Sequence, residues 1–500
     1  MLSLSMIVKN EEKYLKDCLE SVKDVADEII IVDTGSTDGT LGIAETFGAK
    51  IYKYDWENDF SAARNFSLSK CTGKLILYLD ADERLHPDSK KIINKIKKTD
   101  KPNGYNCKII NLDEVNNRPS VMTYIRLFPN NKNVSFSGKV HEQIETSLLK
   151  NNYKIEESDI SILHIGYSIG REGLKIKAKR NLIILLNEYE KNKSSYYAFH
   201  LGQTYNILEH KEEAMRFFKI AVKDKNIKKE YLSTSLRVLA VYESEMGNLE
   251  QAVTFIEKAI YYDKDQPLNY MVASNFYKKS GDIKRSILFI EKALGINRES
   301  SKNNYKSSQN ILLDDYLIIC TGLLLSIEGS DNTSKKYFSN ELINLSNQKP
   351  GLKAEINFLL ILLEGKAALT NIRDIKEYTN DSNLELVIKL LTLSSDIQTV
   401  GSLFESLAEK HYDSAYVLKE YAMYSLKMGD TKKAEKLFDK AIELNTNDPS
   451  VYFYLVSLYI QSNRIDKLRG VLNKAQELFA NNPAVISQLN KLRQKLSQII

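Results

Sequence analysis

Up to about Tyr167, short apolar or β-branched runs alternate with stretches of helical period. LSLSMIV precedes the helical EEKYLKDCLESVKDVA, and EIIIVD leads into TGSTDGTLGIAETFG. KIYKYDW is followed by DFSAARNFSLSKC, and KLILYLD by ADERLHPDSKKIINKIKK. Strand and helix in strict turn predict a parallel sheet covered by helices. GYNCKIINL, TYIRLF, VSFSG and DISILHI come after them with short connections, so the sheet is expected to finish in mixed or antiparallel strands.

After about Lys175 the strand signals stop and the chain reads as helix to its end. MGNLEQAVTFIEKAI and SGDIKRSILFIEKAL align with Gly247 on Gly281 and Ala259 on Ala293, each 34 positions apart. MGDTKKAEKLFDKAIELNTNDP and SNRIDKLRGVLNKAQELFANNP align with Ala441 on Ala475 and Pro449 on Pro483 at the same spacing. Leu208–Val222 is a looser copy. A small residue in each helix, a tight turn and a Pro suit stacked helix pairs, and the pattern resembles the tetratricopeptide repeat. The expected organisation is a domain over 1–170, a linker helix over 171–195 and repeats over 196–298 and 411–500. The helical segment 299–410 between them is off register. The helices from about Ser194 are expected to bury their apolar faces on one another rather than on the sheet, so that a cut near Lys193 would leave a folded first domain.

Composition narrows the picture further. A chain of 500 residues exceeds one ordinary core. The balance of 70 Lys+Arg against 65 Asp+Glu leaves +5, weak for a nucleic-acid binder of this size. The basic stretch Lys90–Lys101 is read first as a solvated helix face and second as a contact for acidic lipid. Four cysteines (Cys18, Cys71, Cys107, Cys320) stand too far apart for a local zinc site and are expected to be reduced and buried. The longest apolar stretch, Tyr316–Ile327, falls short of the roughly 20 residues a membrane span needs. A cytoplasmic location is expected, with no transmembrane segment.

Three features of the first domain carry chemistry. In IIIVDTGSTDGT, Asp33 ends a strand and a Gly/Ser/Thr turn opens a helix, the position where open α/β sheets take ligands. The Lys of a phosphate-binding P-loop and the spacing of G-x-G-x-x-G are both absent. In NDFSAARNFSL, Asp59 or Ser61 can cap a helix whose first turns carry Arg64 and Asn65. Arg suits bidentate contact with phosphate or a base edge, and equally an ion pair with a carboxylate. In YLDADERL, Asp80-Ala81-Asp82 is a D-x-D after an apolar strand. Oxygen ligands so spaced suit Mg2+ or Mn2+ on a diphosphate, although Asp is also common in plain turns.

MIVKNEE, IIIVDTGSTDGT, DFSAARN and YLDADE, in that order, resemble the family 2 glycosyltransferases, whose fold is the GT-A type, an α/β Rossmann-like mixed sheet. The resemblance covers most of the first 170 residues. It implies that Val8, Lys9 and Asn10 edge a nucleotide pocket, with Gly35 and Asn65 also on the nucleotide sugar. Asp33 would meet the base, Arg64 the base or phosphate, Asp80 the ribose and Asp82 the metal. The family's base is an acid near the acceptor, for which FSGKVHEQI offers Glu142 after His141, without the usual Glu-Asp pair. His164 in ILHIGY would complete the metal shell, against the plainer reading of a core histidine. Trp56 is a sugar-pocket candidate or, more plainly, a packing residue.

The resemblance further implies an inverting hexosyltransferase that uses Mn2+ or Mg2+ and a UDP-hexose or UDP-N-acetylhexosamine donor. A family 2 domain followed by tetratricopeptide-like helices is similar to bacterial protein glycosyltransferases acting on flagellin Ser/Thr or on Cys of bacteriocin peptides. A protein or peptide acceptor held partly by the repeats is therefore expected, and a homodimer is compatible with that arrangement. The alternatives are a transferase of cell-surface polysaccharide or lipid-linked glycan, and a scaffold that senses nucleotide sugar without turning it over.

Overall fold

Leu2–Val8 forms β1, the strand around which the sheet is built. The computed structural model describes residues 1–496 apart from 101, 112–119, 166–169, 302–308, 445 and 481. β1 is buried on both faces, as a central parallel strand must be. Its two inner serines would be costly there without partners. Ser3 Oγ donates to Glu28 Oε2 at 2.5 Å and accepts from the Gly73 amide, while Ser5 Oγ and Ser67 Oγ lie 2.7 Å apart.

β2 (Glu28–Asp33), β3 (Lys50–Lys53) and β4 (Leu75–Tyr78) complete the parallel part, joined through α1 (Leu15–Val22), α2 (Thr40–Thr46) and α3 (Phe60–Lys70). Asp59 caps α3 by accepting from the Ala62 amide. Then follow β5 (Glu83–Leu85), α4 (Ser89–Ile96), β6 (Gly104–Asn111), β7 (Ser120–Pro129), α5 (Glu145–Lys150) and β8 (Ile155–His164). The order across the sheet is β3-β2-β1-β4-β7-β6-β8-β5, and β7 is antiparallel to β4, giving the mixed GT-A-like sheet. One apolar layer (Leu4, Met6, Leu19, Ile31, Leu77, Ile93) packs α1 and α4 on the sheet, and a second gathers Ile30, Ile76, Tyr78, Phe128 and Phe136.

Three expectations about the strands differ from the structure. The residues after Asp80 do not run straight into a helix, because β5 intervenes and pairs antiparallel with β8, setting Glu83 opposite His164. VSFSG forms no strand and contributes only the isolated bridge Ser137–Gln143. β9 (Gln309–Ile311), from deep in the helical half, pairs with β7. The basic face of α4 is ion-paired, Lys90 with Asp24 and Lys97 with Asp27, each at 2.8 Å, which leaves less charge for lipid than the sequence suggests. Lys101 and the expected domain end near Tyr167 lie outside the described residues. All four cysteines are free and buried.

The chain divides into two compact units, and the first runs past the expected boundary at 170. It comprises 1–242 with 254–272 and 295–313. It therefore contains α6 (Gly170–Lys191), α7 (Ser195–Ile207) and α8 (Lys211–Ala221), and most of α9 (Lys229–Glu245). Val140 from the sheet domain shares one apolar cluster with Ile184, Leu185, Phe199, Phe217 and Phe218. Each of those phenylalanines is worth roughly 1.5–3 kcal/mol of burial. A cut at Lys193 divides this cluster, so the helices after Ser194 are not independent of the sheet domain.

The second unit takes 243–253, 273–294 and 314–500. It contains helix pairs such as Ala415–Lys427 with Thr431–Glu443 and Pro449–Gln461 with Ile465–Leu478, packed on Phe438, Tyr452, Leu455 and Tyr459. The turns inside these pairs need a left-handed residue: Gly429 has φ 81° and Asn463, 34 positions on, has φ 55°. Gly247 and Gly281 hold the same conformation at 85° and 82°. Pro449 sits in the first turn of its helix, behind the Asp448 cap, and so opens a helix instead of closing a repeat. Residues 299–410 are largely helical where described, for example Asp315–Glu328, Asn332–Gln348 and Ile397–Lys410. Among the described residues no helix is long and apolar enough to cross a membrane.

Two variants test this packing. A Cβ on Gly202 of α7 would stand 2.8 Å from the Phe218 ring, so Gly202→Ala should cost about 1–3 kcal/mol, read as a lower urea midpoint at unchanged slope. Glu28 is buried; burial raises its carboxyl, but bonds from Lys50, Ser3 and Thr72 outweigh that and hold it at about 2. Its folded value lies below the ordinary 4.5, so its contribution is complete above pH 4.5 and is lost as pH falls toward 2. Glu28→Gln should lower stability at neutral pH by up to about 3 kcal/mol and flatten the acid limb in that window, measured by urea titrations across pH.

Candidate active site

The carboxyl ends of β1, β2 and β4 lie side by side, where an open α/β sheet presents its loops to a ligand. The loop after β1 is tied to the loop after β2. Asn10, at φ 56°, accepts from the Thr37 amide at 2.8 Å and donates its own amide to Ser36 Oγ. The Glu11 amide donates to Thr40 Oγ1, and Glu12 accepts from the Gly39 amide. Buried Asp33 accepts from the Ser36 amide at 2.9 Å, closing a turn through Gly35 at φ 106°. The Val8 carbonyl accepts from Thr34, and Lys9 is exposed beside it. Val8, Asn10, Asp33 and Gly35 thus build the double loop, with one oxygen of Asp33 spent on its turn.

A denser arrangement follows β4. Arg64 of α3, only 6% exposed, donates through Nη2 to Asp80 Oδ1 at 2.8 Å and through Nε to Glu142 Oε1 at 2.5 Å. Its guanidinium carbon lies 4.8 Å from the centre of the Tyr78 ring. On that ring also rests Arg126 of β7, at 4.2 Å, which donates to Glu83 Oε1 at 2.5 Å and lies 3.8 Å from Asp80 Oδ2. Glu83 Oε2 in turn accepts from the Asp80 amide. Burial opposes ionisation of Asp80, yet Arg64 and Arg126 hold its carboxyl well below the ordinary range. Burial pushes Glu83 up to about 7 against the pull of Arg126. Arg64, expected to touch a base or a phosphate, is here engaged by two carboxylates.

Asp82 faces a different partner. His164 Nε2 lies 3.3 Å from Asp82 Oδ2, and Nδ1 lies 2.7 Å from Asn111 Oδ1. An amide oxygen can only accept, so Nδ1 carries the hydrogen and Nε2 is turned toward Asp82. A histidine held in this way is arranged as metal ligands are. Burial lowers the His164 pKa, but Asp82, Glu83 and Asp80 raise it overall. Lys177 of α6 brings Nζ to 4.0 Å from Asp82 Oδ2. Half-buried Glu11 is pushed up to about 7 by burial and by Asp82, with Lys177 opposing. Among the described residues no group of three or more His, Cys, Asp or Glu is assembled for a metal; Asp82 and His164 stand together as a pair.

Asn65 does something else. Its side chain donates to the Phe136 carbonyl at 3.0 Å and accepts from the Phe136 amide at 2.8 Å, so the whole amide group anchors the loop before Glu142. One N–H and one lone pair of the amide are thus given to the loop, and one of each is left. Trp56 packs edge-on against Phe60 and donates to Asn58 Oδ1, the plainer of its two readings. Sequence reasoning reads Glu83 only as the third acid of YLDADERL, without a role of its own, and missed Arg126, Glu11 and Lys177. Glu83 and Glu11 stand inside quoted motifs and were legible as extra acids. Arg126 and Lys177 carry no local signal, since only the strand order and α6 bring them here.

Residues 3–150 match the family model for Glycosyl transferase family 2, and residues 238–266, 269–300 and 425–492 match models for the tetratricopeptide repeat. The chain therefore carries a family 2 glycosyltransferase domain followed by tetratricopeptide repeats. A TPR repeat-containing protein of Synechococcus elongatus is 31% identical over 268 residues, 52% of this chain and 66% of that protein. The SPbeta prophage-derived glycosyltransferase SunS of Bacillus subtilis is 31% identical over 230 residues, 44% of this chain and 53% of SunS. The chain thus spans between about half and just under two thirds of these curated relatives. Glucosyl-3-phosphoglycerate synthase from Mycobacterium tuberculosis is similar over 37% of this chain and 77% of its own, at 16% identity and a TM-score of 0.28, too slight a likeness to argue from.

Removing one member of the buried ion network should be costly. Arg126→Met leaves Glu83, 1% exposed, without its cation, and stability should fall by about 3–5 kcal/mol in a denaturant titration. Adding Glu83→Gln should recover most of that loss, because the remaining group no longer has to be charged.

Proposed function

We propose that the chain is an inverting glycosyltransferase that moves a hexose or N-acetylhexosamine from a UDP-sugar to a Ser/Thr hydroxyl or Cys thiol of a protein or peptide. One observation carries this reading: Arg64 bonds Asp80 and Glu142 at once. A carboxylate able to act as base is thereby held within one guanidinium of the D-x-D acids. The family 2 match supports the reaction class, and the repeats, whose stacked helices offer extended surfaces, support the acceptor class.

Asp82 and His164 are the residues that would hold a divalent ion beside the donor diphosphate. An imidazole in the donor set favours Mn2+ over Mg2+. When bound, such an ion neutralises the charge that builds on the departing diphosphate. Asn111 holds the ring that meets it, and Lys177 adds a second cation beside Asp82. The loops at Asn10 and Asp33 hold the nucleoside. Glu142 Oε2 takes the proton from the acceptor hydroxyl or thiol as that atom forms its bond to the anomeric carbon. The carbon–oxygen bond to the diphosphate breaks on the opposite face, and its electron pair leaves with UDP. Proton removal at this point is ordinary general-base work for a carboxylate in reach.

UDP-glucose and UDP-N-acetylglucosamine, incubated with the protein and Mn2+ without acceptor, test this directly. Slow hydrolysis that stops on chelation is expected. Asp82→Ala should reduce it by at least about 100-fold without lowering the melting temperature, and Asn111→Ala should weaken Mn2+ binding about 10–100-fold. Turnover unaffected by chelation, or no binding of UDP by calorimetry, would sink the proposal.

A further inference from the structure

Glu142 stands on a short loop whose shape is not explained by the loop itself. Ser137 and Gln143 close its base with two backbone hydrogen bonds at 3.0 and 2.9 Å. Inside it Gly138 has φ 95° and His141 has φ 57°. The second value matters, since a histidine in the left-handed region persists only where its surroundings hold it there. On the catalytic side the loop is held by Arg64 on Glu142 and by the Phe60 amide on the Lys139 carbonyl. The other side faces α7, the second helix after the sheet domain.

Three contacts join α7 to the loop. The His141 ring lies flat on the His200 ring, with centroids 4.0 Å apart and planes at 15°. Tyr196, one turn earlier, donates its hydroxyl to the His141 carbonyl at 2.8 Å and meets the His200 ring edge-on at 4.5 Å. Val140, 3% exposed, enters the apolar cluster built by α6, α7 and α8. His200 is 6% exposed, neither ring nitrogen has a partner at full hydrogen-bond geometry, and Gln203 is the polar side chain beside it. Burial and the neighbouring His141 press its pKa well below the ordinary value, so the ring is neutral and can lie against a second imidazole without charge repulsion. A buried imidazole without full hydrogen bonds is costly as a filler. Its flat contact with His141 is what it supplies.

We infer that His200 and Tyr196 of α7 are positioning residues for Glu142: they hold His141 in its left-handed conformation and thereby aim the carboxylate. The inference rests on the reading of Glu142 as the base. It gives the helical half a part in the reaction beyond binding an acceptor, because one of its helices sets the geometry of the proton-accepting group. A displacement of about 1 Å at such a group is enough to cost orders of magnitude in rate.

The test pairs hydrogen exchange of the loop with donor hydrolysis by the full chain. In His200→Ala and Tyr196→Phe, amide exchange over residues 137–143 should quicken about tenfold while exchange in β1 and β4 stays as it was. The kcat for UDP-glucose hydrolysis with Mn2+ should fall about tenfold or more, with KM and calorimetric UDP affinity unchanged. His200→Phe, which keeps a flat ring on His141, should restore most of both. Phe217→Leu in α8, a buried ring whose ring neighbours are Tyr189 and Tyr205, should lower the melting temperature and leave kcat alone. Unchanged exchange in His200→Ala, or equal loss of kcat in Phe217→Leu, would overturn the inference. Quickened exchange in a protein that turns over no UDP-sugar would uphold the positioning and instead remove Glu142 from catalysis.

Discussion

Arg64, Arg126, Asp80, Glu83 and Glu142 share one network around the Tyr78 ring, and the candidate site depends on it. A buried charge is tolerated only with its partners in place, so each of these side chains fixes the others. The network draws on α3, β4, β5, β7 and the loop before α5, which are scattered over about 80 positions of sequence. Its two cations both lie over the Tyr78 ring, at 4.8 and 4.2 Å from its centre. Asp80 is thereby kept ionised although burial opposes it. Asp82, one residue beyond Ala81, is left outside the network to face His164. The D-x-D therefore splits into one acid that braces the site and one turned to a metal-ligating type of side chain.

The helices after residue 170 belong to the same construction. α6 brings Lys177 to Asp82, and α7 supports the loop of Glu142 from behind. At Val140 and Phe60 the apolar cluster of the helices reaches the sheet domain. These links explain why the first compact unit extends to Tyr242, well beyond the 170 residues that carry the glycosyltransferase resemblance. A catalytic domain and a repeat region can be separate in family terms and still share one core, because apolar surface is buried wherever the chain leaves it.

Much of this was legible in the order of residues. The alternation of strands and helices, the D-x-D after LILYL, the Gly/Ser turn after Asp33 and the 34-residue spacing are local patterns, and the backbone obeys them locally. The cap on α3 and the left-handed turns at Gly247, Gly281 and Gly429 are of this kind too. Local rules failed where charge was buried. Glu83 and Arg84 fall in a stretch read as helical, yet they form β5, since ion pairing and hydrogen bonding allow polar residues into a strand that pattern alone would keep apolar. Arg64 and Asn65 read as ligand contacts, but both are taken up by protein partners.

What the sequence by itself determined was the set of elements, their periodicities and the acids available at the sheet edge, because these follow from side-chain spacing of two or about three and a half residues. What only the tertiary structure decided was which acid meets which cation, that His164 offers Nε2 and not Nδ1, and that a helix 55 residues away supports the loop of Glu142. Those choices depend on distances between segments remote in sequence. An ion pair or a ring stack has no periodicity to read along the chain, and only the packing of apolar faces brings its two halves together.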